Sequence, residues 1–469
     1  MKKLIYTSLF ALLVVFSAHG QKVLTLEECI NIALDNNINI KTARNNAVSA
    51  RAGYAQSKFN FLPSLSGFAT HRWNEGLQFD QTSGGLVNKT TLSGGGSLSA
   101  NLTVFNGFQN SLNVVRTKFL YEASEQAIES NIQATEASVV GSFLQVVSTQ
   151  ENLKIQEQTL GLLKEQLNRE EKREAAGVGN MEQVYNFRSQ VAAQNLQIVN
   201  QRNLLESSKL ALTQLLLLDP ADDYDFQGIT IDDAKLEEEI ADYGSVYDKS
   251  TAYSPALKSA ELNLEATKKS LKMSQFAWMP TLSINASYGT NWSSNVRDYQ
   301  TEIDPATGET VFVRDGDGNR IDLGVTSLGT QFDNNVSKSA SFNLNIPIFS
   351  RFQNRTNLQQ TKIQMLNSEL TLEQTRNTLT NQVQQAYLNL VNAKTSYVAA
   401  LESLVNLNTS FEFAQNRYES GTIDFVTYLT SLNGKNRGEL ELVRSKYAIL
   451  FRQLIIDIYT GELNLGAGN

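Results

Sequence analysis

The chain has 469 residues, 41% hydrophobic and 19% charged, which excludes a disordered chain and leaves room for several packed units. Acidic residues outnumber basic ones 48 to 40, a balance that argues against nucleic acid as a partner. Six prolines suit long uninterrupted helices, and a single cysteine rules out an internal disulfide.

Residues 1–20 read as a secretory leader, with Lys2-Lys3, an apolar run Leu4 to Phe16, and Ala18-His19-Gly20 before Gln21. That run is shorter than the ~18 residues of a spanning helix, so cleavage is expected rather than anchoring. No cysteine follows the cleavage site, so lipid attachment is not expected there. Cys29 falls on an apolar helix face, as a small core residue.

A first repeat is expected over 21–245. It opens with Thr25 as N-cap and Glu28 three residues on, a capping box. Ile30, Ala33, Leu34, Ile38, Ile40 and Ala43 then recur at helical spacing, and Pro63 stops the helix. Beyond Pro63 the period falls to two. A strand is expected at about 64–74, carrying Leu65, Ala69 and Trp73 on one face, and a loop at 75–93. Gly94-Gly95-Gly96 reads as a turn. The strand at about 97–105 alternates Leu98, Ala100, Leu102 and Val104 with Ser97, Ser99, Asn101 and Thr103.

Asn106 to Gly177 contains no proline and reads as one helix over about 106–176, ~105 Å long. Val146, Leu153, Leu160 and Leu167 repeat every seventh residue, a coiled-coil seam. Gly177 provides a C-cap, and the chain returns as helix over about 181–217. The segment 219–245 carries Asp222, Asp223, Asp232, Asp233 and Glu237-Glu238-Glu239, and reads as a solvated equatorial belt.

A second repeat is expected over 246–469. Ser254-Pro255 starts a helix that ends at Pro280, and Ile40, Ala43 and Pro63 align with Leu257, Ala260 and Pro280 at an offset of 217. Strands are expected at about 281–292, with Leu282, Ile284, Ala286, Tyr288 and Trp292 on one face, and at about 340–349, with Phe342, Leu344, Ile346 and Ile348. The loop between them, 294–338, contains Asp315-Gly316-Asp317-Gly318-Asn319. Arg320 and Thr326 stand where a calcium loop needs glycine and glutamate, so turns are expected. A long helix over about 351–420 carries the seam Leu390, Tyr397, Leu404, Phe411 and Tyr418. Gly421 and a return helix over about 425–458 follow. From Phe105 with Phe349 through Arg173 with Arg417 to Gly177 with Gly421, the offset is 244, so the chain is internally duplicated.

Four strands of about ten residues match a membrane barrel, with lipid on Leu98, Leu102, Leu282, Ile284, Tyr288, Phe342, Leu344 and Ile346 and water on the serine and asparagine face. A half-buried soluble sandwich is the rival reading. Four strands cannot close a barrel, and an open edge cannot sit in lipid, so identical copies must complete the ring. A dimer leaves little lumen, and a trimer gives twelve strands around water. No catalytic, cofactor or metal constellation is legible. After the leader, His71 stands alone, and neither paired cysteines nor a phosphate-binding loop is present.

Leu24-Thr25-Leu26-Glu27-Glu28-Cys29-Ile30 with Ala33-Leu34 and Asn37, Leu62-Pro63 and Met279-Pro280-Thr281-Leu282, Arg173 to Gly177, and Arg417-Tyr418 to Gly421 together resemble the TolC family of outer-membrane efflux proteins (outer-membrane factors). The resemblance covers the whole mature chain. It implies a homotrimer in the outer membrane of a Gram-negative bacterium: a barrel within the lipid, continued into the periplasm by an α-helical barrel. It implies an exit duct for efflux of small molecules, served by a periplasmic adaptor and an inner-membrane transporter. The implied docking tips are Arg173, Gly177, Val178, Arg417, Tyr418, Gly421 and Thr422. Aspartate rings that narrow the tip in some members fall at Thr427 and Thr430, so Glu182 and Asp424 are considered as substitutes. Type I protein secretion is an alternative use of the duct, and a periplasmic coiled-coil adaptor is the alternative of another class.

Overall fold

The computed structural model describes residues 22–80, 85–219, 224–228, 236 and 239–463. In the first repeat the elements are β1 (Lys22–Leu24), α1 (Leu26–Asn36), α2 (Ile38–Phe59), β2 (Ser64–Asp80), β3 (Gly85–Asn106), α3 (Gln109–Ala175), α4 (Met181–Leu215) and β4 (Tyr224–Phe226). The second contains α5 (Tyr243–Tyr253), α6 (Pro255–Gln275), β5 (Thr281–Ser293), β6 (Arg297–Tyr299), β7 (Thr301–Ile303), β8 (Thr310–Phe312), β9 (Asp322–Val325), α7 (Leu328–Asn334), β10 (Ser337–Asn345), α8 (Gln353–Glu419) and α9 (Phe425–Thr460). The leader and the acids Asp222, Asp223, Asp232, Asp233, Glu237 and Glu238 lie outside the described residues.

The duplication extends to the caps. Thr25 forms its capping box with Glu28, and Asp242, 217 residues on, caps α5 through the Gly244 amide. Asn37 breaks α1 from α2 by accepting from the Asn39 and Ile40 amides, and Ser254 breaks α5 from α6 by accepting from Leu257. Asx- and Ser-type side chains start new helices in this way because their oxygens replace missing backbone acceptors.

One compact unit holds the described residues of 22–49, 121–264 and 368–463. Its core forms three clusters along the helices. Val139 to Val147 of α3 pack with Leu212 of α4 and its C-cap Leu216, Cys29 and Ile30 of α1, and Tyr447 and Ile458 of α9. Leu379 to Tyr397 of α8 pack with Val246, Leu257, Ile449 and Ile456. The third cluster is aromatic and is described below. The segment expected to be an irregular belt contributes to the first. Phe226 is 3% exposed, β4 pairs in parallel with β1, and Lys209 binds Asp225 at 2.9 Å. The α3 seam also differs from expectation. Leu153, Leu160 and Leu167 are only half-buried, and the buried stripe is Ile155, Thr159, Leu163, Gln166 and Glu170. Packing against its actual neighbours rotates the helix part of a turn from the leucine heptad, which puts polar residues inside.

The other unit, residues 50–120 and 265–367, is built on an antiparallel sheet in the order β10-β5-β3-β2. The β2–β3 ladder runs from Ser64 opposite Asn101 to Asp80 opposite Gly85, so most of the expected loop is strand. The glycine triplet is strand too. Gly94 stands between His71 and Trp292 in adjacent strands, whose rings lie 5.5 Å apart, and a Cβ there would come within 2.7 Å of Trp292 Nε1. Glycine is the residue that lets the indole lie across the backbone. A bulge at Val104 moves that residue out of register and puts Phe105 opposite Leu282. β10 stops at Asn345, so Ile346 lies just past the strand.

Each strand-to-helix junction is latched twice over. Gly107-Phe108 and Arg351-Phe352 adopt positive φ, and Phe105 meets Phe108 as Phe349 meets Phe352, edge to face. Asn110 then donates to the Asn60 carbonyl as Asn354 does to that of Ala277. These turns start each long helix two or three residues later than its apolar period suggests.

Beyond Gly289 the β10 side of β5 has no strand partner. Gln331 of α7, 1% exposed, accepts from the Ser293 amide and donates to the Thr326 carbonyl, both at 2.8 Å, and Asn335 donates to the Asn291 carbonyl. Gln331→Ala is expected to cost about 1–3 kcal/mol locally, because buried backbone groups lose their partners. Hydrogen exchange should show faster amides at Ser293 and through 296–326, with α3 unchanged.

Candidate functional site

Two helix–turn–helix ends carry the residues of interest. α3 closes with Gly177 at φ 77°, its amide bonded to the Glu174 carbonyl and that of Val178 to the Arg173 carbonyl. α8 closes with Gly421 at φ 72°, its amide bonded to the Tyr418 carbonyl and that of Thr422 to the Arg417 carbonyl. Both are paired C-caps that need a left-handed residue, which glycine adopts without Cβ strain. The return helices then start on equivalent caps: Asn180 accepts from Glu182, and Asp424 accepts from Thr427 at 2.7 Å. The pair is 244 residues apart and was within reach of the sequence alignment.

Arg173 is half-buried, while Val178, Arg417 and Thr422 are exposed around the two glycines. Tyr418 differs. At 4% exposed it cannot present its ring to a partner, and it stacks on Tyr428 at 4.8 Å within the third core cluster. Phe187 sits at the centre of that cluster, 4.7 Å from Phe425 and 6.1 Å from Tyr418, with Phe411 packed on Tyr428. Burial pushes the Tyr428 hydroxyl up to about 12 and Tyr418 higher still, so both rings stay neutral. The arrangement locks the starts of α4 and α9 to the ends of α3 and α8. Phe187, Phe425 and Tyr428 carry no local signal in the sequence, and Phe411 reads there only as a seam residue, because the contact joins segments up to 241 residues apart.

The constriction candidates separate in the same way. Glu182, Thr427 and Thr430 are exposed on the first turns of the return helices. Asp424 is committed to capping, and the Thr427 amide holds its carboxyl below the usual range. Arg169 and Glu419 form a 2.5 Å ion pair between α3 and α8, and Arg188 binds Glu171 at 2.8 Å between α4 and α3.

On the sheet, Leu98, Tyr288, Phe342 and Leu344 lie on one face and are at least half exposed, while Leu102, Leu282 and Ile284 on the same face are partly covered. Ile346 is exposed beyond the strand. The opposite face carries an Asn101–Asn285 hydrogen bond and a Ser287–Ser339 pair, and Phe68 stands on it as an apolar exception. No group of metal-ligating side chains occurs among the described residues.

A sequence profile of the outer membrane efflux protein family matches residues 29–216 and 246–452, one match per repeat. The chain belongs to that family. Protein CyaE of Bordetella pertussis is 23% identical over 402 residues, covering 85% of this chain and 76% of its own. The solved structure of CusC, studied for transmembrane channel formation, superposes with a TM-score of 0.74 at 18% identity, covering 93% of this chain and 91% of CusC. The Campylobacter jejuni CmeC outer membrane channel gives 0.71 at 17% identity, covering 94% and 86%. This outer membrane efflux protein is therefore a channel component of the Gram-negative outer membrane and not an enzyme, and the reading as a periplasmic adaptor is set aside.

Phe187→Ala should destabilise the helix ends by about 3–5 kcal/mol, because it empties the centre of a closed cluster. Amide exchange should rise across 160–190 and 411–432 and stay unchanged in the sheet. Glu419 offers a pH test. The Arg169 hydrogen bond, then that of Gln415, holds its carboxyl below the usual range. The ion pair therefore contributes fully above the free-glutamate range and is lost as pH falls through the lower folded value. Glu419→Gln should flatten the acid dependence of amide exchange at these ends.

Proposed function

We propose that three copies of this chain close a twelve-stranded barrel and a helical tunnel, forming the passive exit duct of an efflux system for small toxic molecules. The observation that carries this reading is the sheet. Among the described residues of one chain β2 and β10 each have an unpaired edge, and Leu65, Leu98, Phe342 and Leu344 stand exposed on one face. Unpaired edge amides are incompatible with lipid, and apolar side chains are incompatible with water. Adding further copies edge to edge removes both conflicts at once. The serine and asparagine face then lines the aqueous lumen.

In this reading a periplasmic adaptor docks on the ends at Arg173, Gly177, Val178, Arg417, Gly421 and Thr422, and an inner-membrane transporter supplies the energy. Tyr418 acts from inside by holding the α8 turn in place.

Gly421→Pro removes the amide bonded to Tyr418 and forbids the left-handed φ. Export of toxic compounds, read as growth in their presence, should be lost while the heat-modifiable oligomer stays in the membrane fraction. Unchanged export would refute docking at this turn. A deletion strain that tolerates toxic compounds but loses a secreted protein would reassign the cargo. A mature chain that is monomeric without detergent would refute the barrel.

A further inference from the structure

The helical part of the sheet-bearing unit has a charge balance opposite to that of the chain. Residues 50–62, 107–120, 265–280 and 346–367 carry ten lysines and arginines against one acid, Glu265, in a protein whose acids outnumber its bases by eight. Glu265 is bound to Lys268 at 2.8 Å, so it does not neutralise the others. Four exposed cations lie within one helical turn of a helix end that meets a strand: Lys58 in the last turn of α2, Lys272 in the last turn of α6, and Arg351 and Arg355 at the start of α8.

Large apolar side chains crowd the same level. Phe59, Phe61, Trp278, Phe349 and Phe352 are between 48% and 72% exposed. From strand to helix the order is an apolar sheet face and exposed aromatic rings, with Arg351 among the rings and Lys58, Lys272 and Arg355 on their helix side, and no acids between them. Aromatic rings prefer the boundary between hydrocarbon and headgroups, and lysine and arginine reach phosphates just beyond it. The headgroup layer is about 5–7 Å deep on each side, close to the ~5.4 Å rise of one helical turn.

From this order we infer that the junction is a basic collar that binds the phosphates of anionic phospholipids in the periplasm-facing leaflet. The inference rests on the barrel reading above. In a ring of three copies the four cations become a circle of twelve. The collar fixes the depth of the barrel, because shifting it outward would draw cations into hydrocarbon and shifting it inward would expose the aromatic rings to water.

Trp278, 63% exposed, is a reporter within the collar. The full mature protein, with Trp73→Phe and Trp292→Phe, is reconstituted into phosphatidylcholine vesicles. These contain the same minor fraction of either brominated phosphatidylglycerol or brominated phosphatidylcholine. The anionic quencher should reduce Trp278 emission about threefold more effectively at low salt, and the preference should fade as salt is added. The quadruple variant K58Q/K272Q/R351Q/R355Q, which changes only exposed side chains, should lose the preference, and lysine-to-arginine replacement at 58 and 272 alone should keep it. Equal quenching by both lipids, or a preference unaltered in the quadruple variant, overturns the collar while leaving the barrel standing. A variant that shifts channel ion selectivity but not quenching places the cations in the lumen and also overturns it. Absence of quenching by either lipid overturns the barrel reading itself and the collar with it.

Discussion

Backbone hydrogen bonding at a sheet edge is the constraint on which the rest of this protein depends. A strand in lipid has no water to satisfy its amides, so every edge must be paired, buried or ended. The chain uses two devices of its own. Past Gly289 it replaces the missing strand with the side chains of Gln331 and Asn335, which serve the backbone of β5 directly. At the helix-proximal end it stops β10 at Asn345 and turns sharply into α8. Among the described residues the outer edges of β2 and β10 are long and open, and in the ring proposed above further copies pair them. The exposed leucines and phenylalanines on one face and the serine–asparagine lattice on the other follow from the same requirement, since a closed ring has an oily outside and a wet inside.

Duplication makes the helical part possible at low cost in new sequence. The two repeats reuse the same junctions: an Asx or hydroxyl cap where the short helices break, an asparagine latch where strand becomes helix, a glycine where the long helix ends, and Asn180 or Asp424 where it returns. These features recur at two offsets, 217 and 244, because the loop between β5 and β10 is longer than the β2–β3 turn. That loop carries its own hairpins, β6 with β9 and β7 with β8, and Arg320 lies 4.3 Å over the Phe312 ring. It is a folded insertion rather than slack chain.

The helix ends combine an exposed rim with a rigid interior. Val178 and Thr422 are accessible, yet the turns carrying them are fixed by paired caps and by aromatic rings from α4, α8 and α9 packed on Leu163 of α3. Gln166 of α3, which faces Tyr428, buries a side-chain oxygen that has no hydrogen-bond partner among the described residues. Such an atom disfavours the closed packing and leaves the cluster less stable than an all-apolar one of the same size.

Much of this was legible in the residues themselves. Alternation in 281–292 and the heptads from Leu390 to Tyr418 are local patterns, and local patterns survive in sequence because each side chain's face is set by its own backbone period. The long helices, the duplication, the Thr25 capping box and the glycine turns all belong to this class. Tertiary structure decided what depends on distant partners. It made strand of the glycine triplet, because Trp292 from another strand lies over Gly94. It moved Phe105 to the apolar face through a bulge, rotated α3 away from its leucine heptad, and buried Tyr418 beneath Phe187. It also gathered Lys58, Lys272, Arg351 and Arg355, unremarkable in three separate stretches of sequence, at one level of one unit. Burial and charge density are properties of neighbours in space, and no single segment contains that information.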